Sequence, residues 1–318
     1  MGSMEQVKSI TKVAGVDVGK RRLDIALHGQ ADELQVDNDA QGLARLIAWL
    51  EQHGVRRVGL EASGGYEQAV RSGLEAAGLE VIVHQPLEVR LFARLKRLRA
   101  KTDRLDAALI AAATAQVEAV RAAQDPRLTE LAERLTTYEQ ITDQAADLKV
   151  FMEHVALPDL VLALREQIQS LVRLKSRLAA EILIRIKAWP DLLERYRLLL
   201  SLPGVGPIVA ASLVVRMPEL GAMERGQSAS LIGVAPFARE SGQWKGLRFI
   251  GGGRARPRRM LYIAALSAKR CDPDLKAFAQ RLANAGKAPK VAIVAVMRKL
   301  IEAANLVLKR KQPWLRHA

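Results

Sequence analysis

The sequence predicts an α/β domain followed by an α-helical remainder. Three observations carry this. Short apolar or alternating runs, the pattern of strands, fall before Pro86. Leu and Ala at spacings of three and four take over from about Arg127. From Arg197 the pattern stays helical, except for a stretch rich in Gly and Arg at 238–256.

The elements follow in order. Val13 to Val18 is an apolar run holding one Asp, Arg22 to His28 alternates, and Glu33 to Asp37 is short. These read as three consecutive strands joined by tight turns. Asp39 to His53 sets Leu43, Leu46, Ile47 and Leu50 at helical spacing, with Asp39 as N-cap. Arg57 to Glu61 is a fourth strand. Tyr66 to Ala77 is a helix ending at Gly78, and Leu79 to His84 is a fifth strand stopped by Pro86. Helical pattern resumes from Glu88 and again from Thr102. Three strands, then helix–strand–helix–strand–helix, predict a mixed sheet with helices packed on it, the order of the ribonuclease H-like fold.

From 127 to 188, two long helices broken at Pro158 read either as a plain helical linker or as a dimerising coiled coil. Leu198 to Ala210 reads as helix, tight turn, helix. Its Gly204 and Gly206 would let the turn backbone approach a phosphate, as in a helix-hairpin-helix, and an ordinary helical corner explains them equally well. Helix returns at Pro257, and the last helix spans Pro289 to Lys309. The expected domains are 13–125, 126–190 and 191–318.

Of the 318 residues, 49% are apolar and 26% charged, which excludes global disorder. Lys and Arg number 49 against 34 Asp and Glu, a net charge of +15 that favours a polyanionic partner. A single cysteine, Cys271, excludes an internal disulfide framework or a Cys-rich zinc site and fits a reducing cytoplasm. No apolar run suggests a membrane span.

Four acids stand out. Asp17 lies inside an apolar strand, where a carboxylate is costly unless paired or bound to a cation. Glu61 ends another apolar strand. Asp103 and Asp106 sit three apart at a helix start. Together they can hold one or two Mg²⁺ ions through hard oxygen ligands and organise a phosphoryl transfer. Taken singly, each has a plain alternative: a turn residue, an ion pair with Arg57, a capping acid, a surface charge.

The basic residues concentrate in three places, one of them the tail from Gly286 onward, which has eight bases and only Glu302 as an acid. Arg90, Arg94, Arg97 and Lys101 would line one face of a continuous helix. Between 239 and 259 lie Arg239, Lys245, Arg248, Arg254, Arg256, Arg258 and Arg259, with Glu240 as the only acid. That cluster can clamp a phosphate. A flexible basic loop gripping nucleic acid is the simpler reading of the same stretch.

The motifs Gly15-Val-Asp-Val-Gly-Lys20, Glu61-Ala-Ser-Gly-Gly-Tyr66, Lys101-Thr-Asp-Arg-Leu-Asp-Ala107, Leu202-Pro-Gly-Val-Gly206, Gly233-Val-Ala-Pro236 and Glu240-Ser-Gly242 resemble those of the DEDD transposases of bacterial insertion sequences. These are relatives of the Piv and MooV invertases and include the bridge-RNA-guided recombinases. The resemblance runs from about Val13 to Lys309. Ser63 stands where Thr is expected and keeps the hydroxyl.

The resemblance implies an N-terminal RuvC-like (RNase H-like) domain with Asp17, Glu61, Asp103 and Asp106 as ligands to Mg²⁺, with Mn²⁺ as the alternative ion. A helical coiled-coil linker and a mostly helical C-terminal transposase domain would follow, the latter carrying Ser241 as nucleophile. The reaction would cut and rejoin target and donor DNA through a phosphoserine intermediate, guided by a structured bridge RNA. A homodimer or tetramer working at the bacterial nucleoid, with no membrane association, would follow. No His lies near Ser241, so the carboxylate site would have to supply a metal to it. The competing functions are a Holliday-junction-resolvase-like metal-dependent endonuclease and a non-catalytic nucleic-acid binder.

Overall fold

The alternating and apolar runs of the first segment build the mixed sheet expected of them. The computed structural model describes residues 12–96, 103–118, 125–237, 240–241, 244–245 and 248–315. Contacts divide the chain into two units, Met1–Gln124 and Asp125–Ala318.

In the first unit β1 (Val13–Val18), β2 (Arg22–Leu27) and β3 (Glu33–Asp37) form an antiparallel meander. β4 (Arg57–Glu61) and β5 (Glu80–His84) add in parallel on the other side of β1. The order is β3-β2-β1-β4-β5, the ribonuclease H-like arrangement. Leu46 and Leu50 of α1 (Ala40–Gln52) and Val70 and Leu74 of α2 (Glu67–Ala76) form one core with Ala14, Val16, Leu23, Ile25, Val58 and Leu60. Asp39 caps α1 as expected, accepting from the Gly42 N–H at 2.7 Å.

The opposite face of the sheet is covered by α4 (Asp103–Ala115), which rests directly on strand backbone. A Cβ on Gly15 would lie 2.2 Å from the Ala107 carbonyl oxygen and 2.3 Å from the Ala111 nitrogen. One on Gly59 would lie 1.8 Å from Thr114 Oγ1. Only glycine at these positions allows the helix so close.

α3 (Pro86–Leu95) stops at Leu95, so the basic row expected on one continuous helix is confined there to Arg90 and Arg94, both exposed. Arg97 and Lys101 lie outside the described residues. Among the described residues no helix is long and apolar enough to cross a membrane.

In the second unit α5 (Pro126–Met152) and α6 (Pro158–Ala188) pair along their length. Leu131, Leu135, Ile182 and Ile186 join one core with α7 (Pro190–Leu200), α8 (Pro207–Arg216), α9 (Gln227–Ile232), α10 (Ala255–Cys271), α11 (Pro273–Asn284) and α12 (Pro289–Arg310). Helix returns at Ala255 rather than at Pro257, which sits in the first turn of α10. The stretch before it holds a small antiparallel ribbon, β6 (Glu240–Ser241) with β7 (Trp244–Lys245). Two-residue strands are too short to show alternation, so the sequence carries no sign of them.

Candidate functional site

The face of the sheet beneath α4 carries a row of polar side chains at one level. Asp17 is the cross-strand partner of Asp24, and Asp24 of Gln35. On the other side Val16 pairs with Leu60, which brings Glu61 of the parallel strand next to Asp17, and Glu61 pairs with His84. Side chains directly opposite share a face. The row across β3, β2, β1, β4 and β5 is therefore Gln35, Asp24, Asp17, Glu61, His84. Asp17 and Glu61 sit near the ends of neighbouring parallel strands, and both are half-buried.

Helix α4 carries the other two acids of the expected set. Ala107 lies against Gly15 and lines the same cleft as Asp24 and Gln35, so the start of α4 lies over β1 and the β2 side of the row. Asp103 opens that helix, and half-buried Asp106 immediately precedes Ala107. Asp17, Glu61 and Asp106 each make interactions within the chain. Among the described residues no three candidate ligands already stand together as a metal cluster. The four expected ligands are all carboxylates, the chemistry that hard divalent cations require, with His84 beside Glu61 in the same row.

Three members of the row, Gln35, Asp24 and His84, were not among the site residues expected from the sequence. Asp24 is buried, accepting from Gln35 Nε2 at 2.5 Å and from Arg22 Nε at 3.1 Å. Its signal was an acid inside the run Leu23–Leu27. His84 is also buried, with Nε2 2.8 Å from Thr114 Oγ1. The Thr114 hydroxyl donates to the Ile110 carbonyl, so His84 Nε2 carries a proton and donates to Thr114.

Burial pushes the His84 pKa down, against the attraction of Glu88. The folded chain therefore prefers the neutral ring, while the unfolded chain takes up a proton below about 6.5. Stability of the first unit should be flat in this respect above that pH and fall as the pH drops below it. Thermal unfolding across the range should show this slope, and His84→Gln should flatten it.

Glu61 leads into a loop locked by Glu67, whose Oε2 accepts from the Ser63 hydroxyl (2.9 Å), Ser63 N–H (3.0 Å) and Gly65 N–H (2.8 Å). Burial pushes the Glu67 carboxyl up, but these bonds outweigh it and hold the pKa below its ordinary value. The hydroxyl at position 63 thus braces the loop, a role that Thr would serve equally.

In the second unit Ser241 pairs with Trp244, next to positions 242 and 243. The base of the ribbon is closed by Phe237 and Phe249, which exchange backbone bonds of 2.8 and 3.1 Å. Arg239 lies outside the described residues, Lys245 is on β7, and Arg248 is exposed. The remaining basic residues are engaged within the protein. Arg254 grips Glu219 and the Arg216 carbonyl, each at 2.7 Å. Arg256 pairs with Glu139 at 2.8 Å, and Arg259 holds Asp143 through both terminal nitrogens. Arg258 donates to the carbonyls of Gly252 and Gly233. The Arg259 guanidinium keeps the Asp143 carboxyl below its ordinary range.

Glu139 and Asp143 were also passed over in the sequence, although Leu131, Leu135 and Glu139 at four-residue spacing put an acid on the buried row of α5. Gly204 has φ +72 and presses on α10, where a Cβ would meet the Ala264 oxygen and the Ala268 nitrogen at 2.4 Å. Packing explains that glycine. Gly206, the N-cap of α8, opens onto free space.

These features converge with comparisons to known proteins. Residues 14–157 match the DEDD transposase model of the IS110 group, and residues 196–280 match the transposase model of the IS116/IS110/IS902 family. Together the two take in well over half of the chain. The pilin gene-inverting proteins of Moraxella bovis and Moraxella lacunata are each 23% identical over 319 aligned residues, covering 94% of this chain and 96% of theirs. A T. thermophilus RuvC structure, in complex with a Holliday junction substrate, aligns with 32% of this chain and 91% of its own, at 19% identity and a TM-score of 0.27.

The two family matches place the chain among DNA-recombining enzymes of the transposase class. The chain belongs to the IS110 family of transposases.

Proposed function

We propose that the protein is an RNA-guided recombinase that cuts and rejoins target and donor DNA through a phosphoserine on Ser241. The observation that supports the metal half of this reading is that Asp17 and Glu61 stand at the ends of neighbouring parallel strands, on the face over which α4, the helix opening with Asp103 and Asp106, packs at Ala107 against Gly15. These four residues would hold Mg²⁺, which supplies positive charge to phosphate oxygens and acidifies a bound hydroxyl. The nucleophile half rests on the match of Glu240-Ser-Gly242 to the family motif.

The chemistry balances as two transesterifications. The Ser241 oxygen bonds to the scissile phosphorus as its proton leaves, and the bond from phosphorus to one deoxyribose oxygen breaks. That oxygen departs and takes up a proton. A sugar hydroxyl from the partner strand then attacks the phosphoserine and releases Ser241. The phosphodiester count is conserved, so no external energy source is required. Arg248 and the first turns of α10 would face the DNA or the bridge RNA, as would Arg90, Arg94 and the open Gly206 turn. Joining two duplexes requires several cleavage sites at once, which calls for a dimer or tetramer.

The test is to purify the protein with the RNA encoded by its element, add Mg²⁺ and a synthetic target duplex, and resolve the products under denaturing conditions. A protein–DNA adduct that maps to Ser241 is expected. Free 5′-phosphate or 3′-phosphate ends without adduct would assign the chain instead to hydrolytic junction cleavage.

A further inference from the structure

Two acids of α5, Glu139 and Asp143, stand four residues apart, so they share a helix face. Each holds an arginine from the start of α10. The Glu139 side chain is 5% exposed, and its other oxygen accepts from Arg216 Nη1. Arg216 is itself 9% exposed and donates to Thr136 Oγ1 at 3.1 Å. Glu139 is thus anchored from behind by a buried partner on α8.

The arginines have the opposite character. Arg256 is 55% exposed and Arg259 59% exposed. Arg256 spends Nη1 on Glu139, and Arg259 spends its terminal fork on Asp143. A guanidinium carries five N–H donors in a fixed fork, so each retains donors for a second anion. A ligand arriving from solvent would meet the guanidinium groups before it could meet Glu139.

We propose that Glu139 and Asp143 are positioning residues that hold Arg256 and Arg259 as a preformed two-arginine clamp for backbone phosphates. This rests on the reading that the start of α10 contacts nucleic acid, and it assigns the part that α5 plays in that contact. The long first helix of the pair is then more than a spacer. Its carboxylates fix long, flexible side chains in advance, so ordering them is not charged to each binding event.

The full-length protein should be titrated with a fluorescent mixed-sequence DNA duplex across a range of salt. Arg256→Ala should weaken binding roughly three- to tenfold and flatten the salt slope by about one. Glu139→Gln should weaken it by a similar factor, although it makes the protein more positive. That loss should vanish when Glu139→Gln is made in the Arg256→Ala background. Asp143→Asn with Arg259→Ala is the parallel pair at an exposed site, and it serves if Glu139→Gln fails to fold.

Tighter or unchanged binding by Glu139→Gln would overturn the proposal, since the carboxylate would then compete with phosphate or be idle. An equal loss in both backgrounds would also overturn it, marking a general packing role. If Arg256→Ala and Arg259→Ala leave both affinity and salt slope untouched, the start of α10 does not grip nucleic acid and the underlying reading fails first.

Discussion

Replacing Ser241 with alanine is expected to abolish strand joining, by a factor of at least about 10³, while RNA and DNA affinity stay within about twofold. The asymmetry comes from what the side chain does. A serine contributes little binding area, but its oxygen is the atom that bonds to phosphorus in the proposed scheme. Without it there is no covalent intermediate to store the broken phosphodiester, and rejoining has no substrate. The ribbon should survive the change, because it is held by backbone pairing of β6 with β7 and of Phe237 with Phe249. The readout is the loss of both adduct and joined product, alongside unchanged mobility shifts. An alanine variant that still forms an adduct would show that another residue attacks.

A matching carboxylate series, Asp17→Asn or Asp103→Asn, would separate chemistry from binding on the other side of the reaction. If these variants recombine normally, the acids are structural and the metal reading collapses.

The sheet was legible in the sequence because each strand buries at least one face in a core, and burial enforces apolar patterning. The strands and α1 fall within a residue of where the pattern put them. The long helices of the second unit were legible for the same reason. What escaped was carried by too few residues or by distance. The β6–β7 ribbon is two pairs long. The arginines of α10 read as a free basic cluster, because nothing local reveals that Glu139, over a hundred positions earlier, lies beside them. Asp24 and His84 were masked by the stronger signals of Asp17 and Glu61, although register places all four in one row.

Gly15→Ala is expected to cost the first unit heavily in stability, because the added methyl would run into the backbone of α4. The added carbon would fall within 2.3 Å of two backbone atoms, Ala107 O and Ala111 N, and 2.9 Å from the Ala111 Cα. Backbone cannot swing aside as a side chain can, so α4 must lift from β1 or the strand must bend. Overpacking of this kind costs about 3 kcal/mol or more. For a domain of this size that lowers the melting temperature by roughly 10 °C or more. Gly59→Ala provides the contrast, because its methyl would first meet the Thr114 side chain at 1.8 Å. Thr114→Ala should therefore relieve Gly59→Ala in part, at the cost of the hydroxyl that His84 binds. No side-chain change should relieve Gly15→Ala. In the proposed metal site, lifting α4 would also carry Asp103 and Asp106 away from Asp17. If the four acids hold Mg²⁺ as proposed, the variant should therefore lose any stabilisation by added Mg²⁺ at temperatures where the fold persists. If Gly15→Ala melts like the unmodified protein, α4 does not rest on β1, and the carboxylates have no common floor on which to meet.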